Sequence, residues 1–221
     1  MILTKNSKTG WSLDFDRKST CEHNCRYCYV TQMEKIYPAY YDKVVRNGKM
    51  AKWQNGKMIK MLNEELEKKK LKTPLRVYGG GDFQPEHMEI FRHIATTCYI
   101  ISKNLTLKKN LEFLKELISI KNVTRILLSY DTQTLHRNRP IIESDKIKYC
   151  FTGEVEQYKE YVENKFNFDI YFNVRKTKAA KAIAAFISIA CPCDAGCIKH
   201  DLACLQCRRC WESYKIKNLL V

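Results

Sequence analysis

Leu75-Arg76-Val77-Tyr78-Gly79-Gly80-Gly81-Asp82 decides the fold. A short strand-like run ends there in three glycines, and elements of two kinds alternate on either side of it. Upstream, Trp11-Ser12-Leu13-Asp14-Phe15 alternates like a strand and leads directly into a group of cysteines. Residues 31–72 read as two helices, punctuated by Pro38 and by Asn47-Gly48. The second of them ends in the charged run Glu64 to Lys70, whose lysines suit a helix C-terminus.

Downstream the alternation continues. The pattern predicts helices over 85–95, 107–120, 154–164 and 176–186, and strands over 99–102, 124–129, 147–151 and 168–174. Six strand-plus-connection units predict a parallel sheet. A full eight-fold barrel takes about 250 residues, so six units take roughly 190. The predicted fold is therefore α/β, a partial (β/α)6 TIM-like barrel over residues 1–190 with a helical insertion at 31–72. A cysteine-rich cap follows over 191–221.

The chain has 221 residues, 45% hydrophobic and 29% charged, enough for a sizeable core and unlike a disordered segment. Its formal charge of +15 suits a polyanion or an anionic ligand. The longest nearly apolar run, Ile183 to Cys191, is about half of what a membrane helix needs. Met1-Ile2-Leu3-Thr4-Lys5 lacks the apolar core of a signal peptide. The expectation is a cytoplasmic protein with no membrane partner.

Eleven cysteines, an odd number in a long chain, favour metal ligands over a disulfide framework. Cys98 and Cys150 stand alone in apolar strand-like runs and read as inert core residues. The other nine form two clusters. Cys21, Cys25 and Cys28 lie within eight residues, and three thiolates on one loop leave a fourth coordination position open for chemistry. In the predicted sheet, function sits at the C-terminal ends of the strands. The first cluster follows strand one, Gly79-Gly80-Gly81-Asp82 follows strand two, Ser102-Lys103 strand three, and Ser129 and Asp131 strand four.

The spacing CxxxCxxC, with the aromatic Tyr27 before the third cysteine, resembles the signature of the radical SAM enzymes. The resemblance implies a [4Fe-4S] cluster on Cys21, Cys25 and Cys28, whose open iron is chelated by S-adenosylmethionine. It implies that Tyr27 packs near adenine. Gly79, Gly80, Gly81 and Asp82 stand where the family's glycine-glycine-glutamate segment binds the methionine amine through backbone carbonyls, with aspartate in place of the usual glutamate. Ser129 and Asp131 fall where ribose-binding groups are often found, and Ser102, Lys103 and Arg175 are candidates for the cofactor's polar ends, the two cations for its carboxylate. The implied reaction is reductive cleavage to a 5′-deoxyadenosyl radical that abstracts hydrogen from a substrate. A one-electron donor such as flavodoxin or ferredoxin is implied as a partner. A zinc site using His23 as fourth ligand is the competing reading of this loop. A narrower resemblance rests on Lys8-Thr9-Gly10, Cys28-Tyr29, Gly81-Asp82-Phe83 and a terminal CxxCxxCW. It is to a group of largely uncharacterised phage-borne proteins, and implies a mobile-element origin and no substrate.

The second cluster holds Cys191, Cys193, Cys197, His200, Cys204, Cys207 and Cys210. CxxCxxC is closer to iron–sulfur spacing than to a zinc ribbon. One assignment is an auxiliary [4Fe-4S] cluster on Cys191, Cys204, Cys207 and Cys210. The other is a structural zinc that draws on Cys193, Cys197 or His200. Lys68-Lys69-Lys70-Leu71-Lys72 reads as a solvated helix end, and Tyr37-Pro38-Ala39-Tyr40-Tyr41 as core packing or as a stacking surface for nucleic acid. A nucleic acid or nucleotide substrate fits the charge. His87, His93, His136 and His200 show no nucleophile–base pattern and carry no catalytic assignment. Two rival functions stand beside the enzyme: a non-catalytic, metal-stapled module that grips nucleic acid, and an activase that places a radical on a partner protein.

Overall fold

The computed structural model describes residues 1–6, 10–23, 25, 28, 30, 36–131, 133–135, 137, 140, 142–153 and 168–173. The predicted helices at 154–164 and 176–186 lie outside these residues. So do Tyr27, Arg175 and the whole 191–221 cap.

Among the described residues one sheet of seven strands forms: β1 (Thr4–Asn6), β2 (Gly10–Leu13), β3 (Leu75–Val77), β4 (Cys98–Ser102), β5 (Val123–Tyr130), β6 (Ile147–Gly153) and β7 (Ile170–Asn173). Their order in the sheet is their order in the sequence. β1 pairs antiparallel with β2, through Thr4↔Ser12 and Asn6↔Gly10. Every later pairing is parallel, with registers such as Leu13↔Val77, Val77↔Ile100, Ser102↔Leu128 and Tyr130↔Phe151. All six predicted strands are present, and the molecule is a mixed α/β structure with a mostly parallel sheet. β1 is an addition: Thr4-Lys5-Asn6 is too short and too polar to show a period.

Parallel strands need crossovers. Between β2 and β3 lie α1 (Arg17–Thr20), α2 (Pro38–Trp53) and α3 (Asn55–Lys69). A 3-10 turn at Pro85–His87 and α4 (Met88–His93) connect β3 to β4, and 3-10 turns at 104–106 and 108–110 precede α5 (Leu111–Ser119) before β5. The predicted break at Asn47-Gly48 does not occur. Asn47 sits mid-helix, wholly buried, and its amide donates to the carbonyls of Ile2 (3.0 Å) and Asp14 (2.9 Å). Those tertiary bonds outweigh the local turn preference of Asn-Gly. The helix stops instead at Gln54. α3 ends as predicted among its lysines, at Lys70 in the left-handed region (φ 44°).

The same two helices clamp the chain's start. Lys43 and Arg46 donate to the carbonyls of Leu3 and Met1, and Glu65 accepts from the Ile2 amide at 2.6 Å. The core gathers Leu13, Phe15, Leu62, Leu75, Val77, Phe91, Ile100, Leu114, Leu117 and Ile126. Ile126, Leu127 and Leu128 are all fully buried in succession, so both faces of β5 are covered. Cys98 and Cys150 are wholly buried strand residues, as expected, and burial pushes the Cys98 thiol up to about 12. Among the described residues no helix is long and apolar enough to cross a membrane.

Candidate functional site at the C-terminal edge of the sheet

The parallel strands bring their C-terminal ends to one edge, and the loops that leave them are tied together. After β2 the chain continues as Asp14-Phe15, then α1, then Cys21. The Phe15 amide donates to the Gly80 carbonyl at 3.1 Å, and the Gly80 amide donates to Asp14 Oδ1 at 2.9 Å. Burial raises the Asp14 carboxyl above the usual carboxylate range, against the Ser12 hydroxyl, Arg76 and the glycine amides, which lower it.

Thr20, immediately before the first cysteine, is the knot. Its hydroxyl donates to the Asp16 carbonyl (2.6 Å) and accepts from the Asp82 amide (3.0 Å). Its carbonyl accepts from the side-chain amides of Gln84 (2.7 Å) and Asn104 (2.9 Å). The start of the cysteine loop is thereby fixed to the turns after β3 and β4. Nothing in the sequence pattern singled out Thr20. Its only signal is its place between a strand and a ligand-type cysteine.

The glycine run is packed by protein atoms. A Cβ on Gly79 would lie 2.7 Å from Asp14 Oδ1, and one on Gly80 would overlap the Tyr40 hydroxyl. Gly81 has φ +79°, and a Cβ there would meet the Phe15 carbonyl and the Thr20 hydroxyl, each at 2.7 Å. The Gly80 carbonyl, expected to face a ligand amine, is engaged by Phe15 because the β2 and β3 loops pair there.

Asp82 is buried and organises the next turn. It accepts from the Ser102 hydroxyl and from the amides of Phe83 (2.7 Å), Lys103 (3.2 Å) and Asn104 (3.3 Å). Burial raises its carboxyl to about 6 although all these donors pull it down. Ser102 is thus spent on Asp82. Lys103, also buried, places its ammonium 3.0 Å from Cys25 Sγ and pairs with Asp131. Asp131 also accepts from the amides of Gln133 and Thr134 (3.1 and 3.0 Å). Ser129, buried on β5, stands opposite Cys150 of β6.

The three cysteines share this edge. The Cys21 amide donates to the Arg17 carbonyl (2.9 Å) and the Cys28 amide to the Cys25 carbonyl (3.1 Å). Burial pushes the Cys21 thiol up to about 11, with Asp82, Cys25 and Cys28 adding to the rise. His23 has a buried side chain that faces Asp82 Oδ2 at 3.9 Å, with an Arg137 guanidinium nitrogen 3.3 Å from its Nδ1. Burial, with the charges of Arg137 and Lys103, lowers it to about 4. Its Nε2 is buried and has no hydrogen-bond partner among the described residues. Among the described residues no three His, Cys, Asp or Glu side chains converge on one point as metal ligands.

The structure thus brings Cys21, Cys25, Cys28, Gly79, Gly80, Gly81, Asp82, Ser102, Lys103 and Asp131 to one sheet edge, with Ser129 on the adjoining strand. No curated protein and no solved structure matches the chain. A family model described as Gene product 88 matches residues 2–213. On a match over nearly its whole length, the chain belongs to the Gene product 88 family.

Proposed function

We propose that this chain is a radical SAM enzyme whose reactive centre lies at the C-terminal edge of the sheet. The observation that carries the reading is the Thr20 knot, which fixes a three-cysteine loop after the first parallel strand against a glycine turn after the second. Sequential parallel strand order and a β5 buried on both faces agree with a sheet curling toward a partial barrel.

The donor chemistry fits a thiolate-bound iron–sulfur cluster. Cys21, Cys25 and Cys28 would hold it, and the ammonium of Lys103 already sits on one of these sulfurs. With S-adenosylmethionine bound, the pair would supply a 5′-deoxyadenosyl radical that takes hydrogen from a substrate. The fit to the methionine end is narrower than the family resemblance implies. The Gly80 carbonyl, the Asp82 carboxylate and the Lys103 ammonium have partners of their own, so polar contact falls to His23 Nε2 and to the remaining turn carbonyls. Burial of Asp82, Lys103 and Asp131 keeps water from this wall of the site. Tyr27, Arg175 and the second cluster on Cys191, Cys193, Cys197, Cys204, Cys207 and Cys210, as iron–sulfur or zinc, belong to the same proposal. So do a one-electron reductant and a cytoplasmic setting.

The test is anaerobic reconstitution with iron and sulfide, a metal count, a visible spectrum and a dithionite assay for 5′-deoxyadenosine. About eight irons per chain supports two clusters, and about four with one zinc supports one cluster and a structural tail. In either case 5′-deoxyadenosine must depend on Cys21, Cys25 and Cys28. Zinc alone, with no cleavage, sinks the proposal.

A further inference from the structure

From Lys43 to Lys60 the chain carries six basic residues and no acidic one. This segment is most of α2, the turn at Gln54 and the first turns of α3. Lys43 and Arg46 are committed to the backbone of residues 1–3. Lys49, Lys52, Lys57 and Lys60 are exposed, and none of them forms an ion pair among the described residues. At their centre stands Trp53, 74% exposed, with the Lys52 ammonium 4.9 Å from its ring centroid. A Cβ on Gly56, in the first turn of α3, would meet nothing within 4 Å, so that turn is open.

An indole offers 150–250 Å² of apolar area, about, and packing normally claims it. Here the packing face of α2 is Val44, Asn47, Met50 and Ala51, and Trp53 lies off it. A lipid surface would call for a broad apolar face on the exposed side. Trp53 is the one large hydrophobic side chain of α2 and α3 that is exposed. A flat ring with flanking ammonium groups matches an unstacked base between phosphates. Paired bases in a duplex already have their faces covered by their neighbours.

We propose that the α2–α3 turn is a binding surface for single-stranded nucleic acid, with Trp53 stacking on a base and Lys49, Lys52, Lys57 and Lys60 meeting the flanking phosphates. The surface needs no cofactor, so it stands apart from the chemistry proposed for the cysteine loop. It is nonetheless joined to the glycine turn by one rigid element. Tyr40, on the first turn of α2, packs against Gly80, and Trp53 ends the same helix about 20 Å further along its axis.

The test is fluorescence anisotropy of the full chain with fluorescein-labelled oligo(dT) and oligo(U) of about 20 nucleotides, at about 50 and 200 mM salt. The wild-type chain is expected to bind both, more weakly at the higher salt. Trp53→Ala should weaken binding roughly fivefold or more, and Trp53→Tyr should restore most of the loss. Lys49→Glu with Lys57→Glu should weaken it roughly tenfold or more. It should also flatten the log–log salt dependence by about 1.4, at about 0.7 per phosphate. Lys108→Glu with Lys121→Glu makes the same change in net charge on other exposed lysines and should cost less than about threefold. Each variant is first shown to melt like the wild type. The proposal is overturned if neither oligonucleotide binds at the lower salt, if Trp53→Ala binds as wild type, or if the control pair is as damaging. It is equally overturned if a duplex of the same length, or anionic phospholipid vesicles, bind as tightly as the single strands.

Discussion

Lowering the pH should uncouple the strand end that leads into the glycine turn, through His87. This ring is buried, and it stacks on Phe15 at 4.1 Å between centroids. Its Nδ1 lies 2.8 Å from the Tyr78 hydroxyl and 3.2 Å from the Gln84 amide. A backbone amide can only donate, so Nδ1 carries no proton and the phenol donates to it as well. Protonating Nδ1 would break the Gln84 bond, turn the Tyr78 phenol from donor to acceptor and bury a cation, and burial holds His87 down at about 3. The sign follows directly. Between pH 6.5 and 3 the unfolded chain binds a proton at this position and the folded chain does not, so stability falls with falling pH. From pH 7 to pH 4 the loss is about 3 kcal/mol, at about 1.36 kcal/mol per pH unit once below 6.5. The assay is urea unfolding at pH 7, 6, 5 and 4, read from midpoint and slope, with His87→Phe alongside. The variant is less stable at pH 7 because Tyr78 loses its acceptor, but its pH dependence should be shallower by about 3 kcal/mol over this range. Parallel profiles for wild type and variant would refute the reasoning.

The glycines give a contrast within one chain. Gly81→Ala should cost about 2–5 kcal/mol in a denaturant melt, from a left-handed φ and contacts at 2.7 Å with a backbone oxygen; Gly56→Ala, inside α3 with open space around it, should gain about 0.5–1 kcal/mol, and equal effects would contradict the packing described. Asp82→Glu installs the residue that the resembled family carries. It should nevertheless destabilise by about 1–3 kcal/mol, because the extra methylene enters a fully buried, four-donor site; an unchanged melting curve would show that the turn has room to spare. In metal-free protein, iodoacetamide labelling of Cys21 should climb about tenfold per pH unit from pH 8 to 10, following a thiol held up at about 11. A plateau near pH 9, read by peptide mass, would contradict that.

The sheet was legible because its signal is periodic and repeated. Arg125-Ile126-Leu127-Leu128-Ser129 and Leu75-Arg76-Val77 are strand-like by composition, and each is followed by a turn or helical pattern. Clustering of the cysteines, glycine run, Asp82, Lys103 and Asp131 followed from strand-end logic alone. What failed to show were partnerships made across long sequence distance. Asn47-Gly48 has the local chemistry of a turn, and only the carbonyls of Ile2 and Asp14 explain why it is helix. Lys103 was expected to await a ligand carboxylate, and the fold supplies Asp131 and Cys25 instead. Ser102 and Asp82, read as separate candidates, are one hydrogen-bonded unit. Trp53 has no periodic context, so its significance comes from exposure, which a sequence does not print.

Strand order has a consequence for how the chain is made. Because each strand of the sheet pairs with the ones before and after it in sequence, a ribosome delivers the strands in the order in which they dock. The cysteine loop does not share this timing. Thr20 waits for Asp82, 62 residues later, and for Asn104, 84 residues later. At about 5–20 residues per second these gaps last roughly 3–12 s and 4–17 s. For that interval the first three thiols of a nascent chain lack the partners that later hold their loop in place.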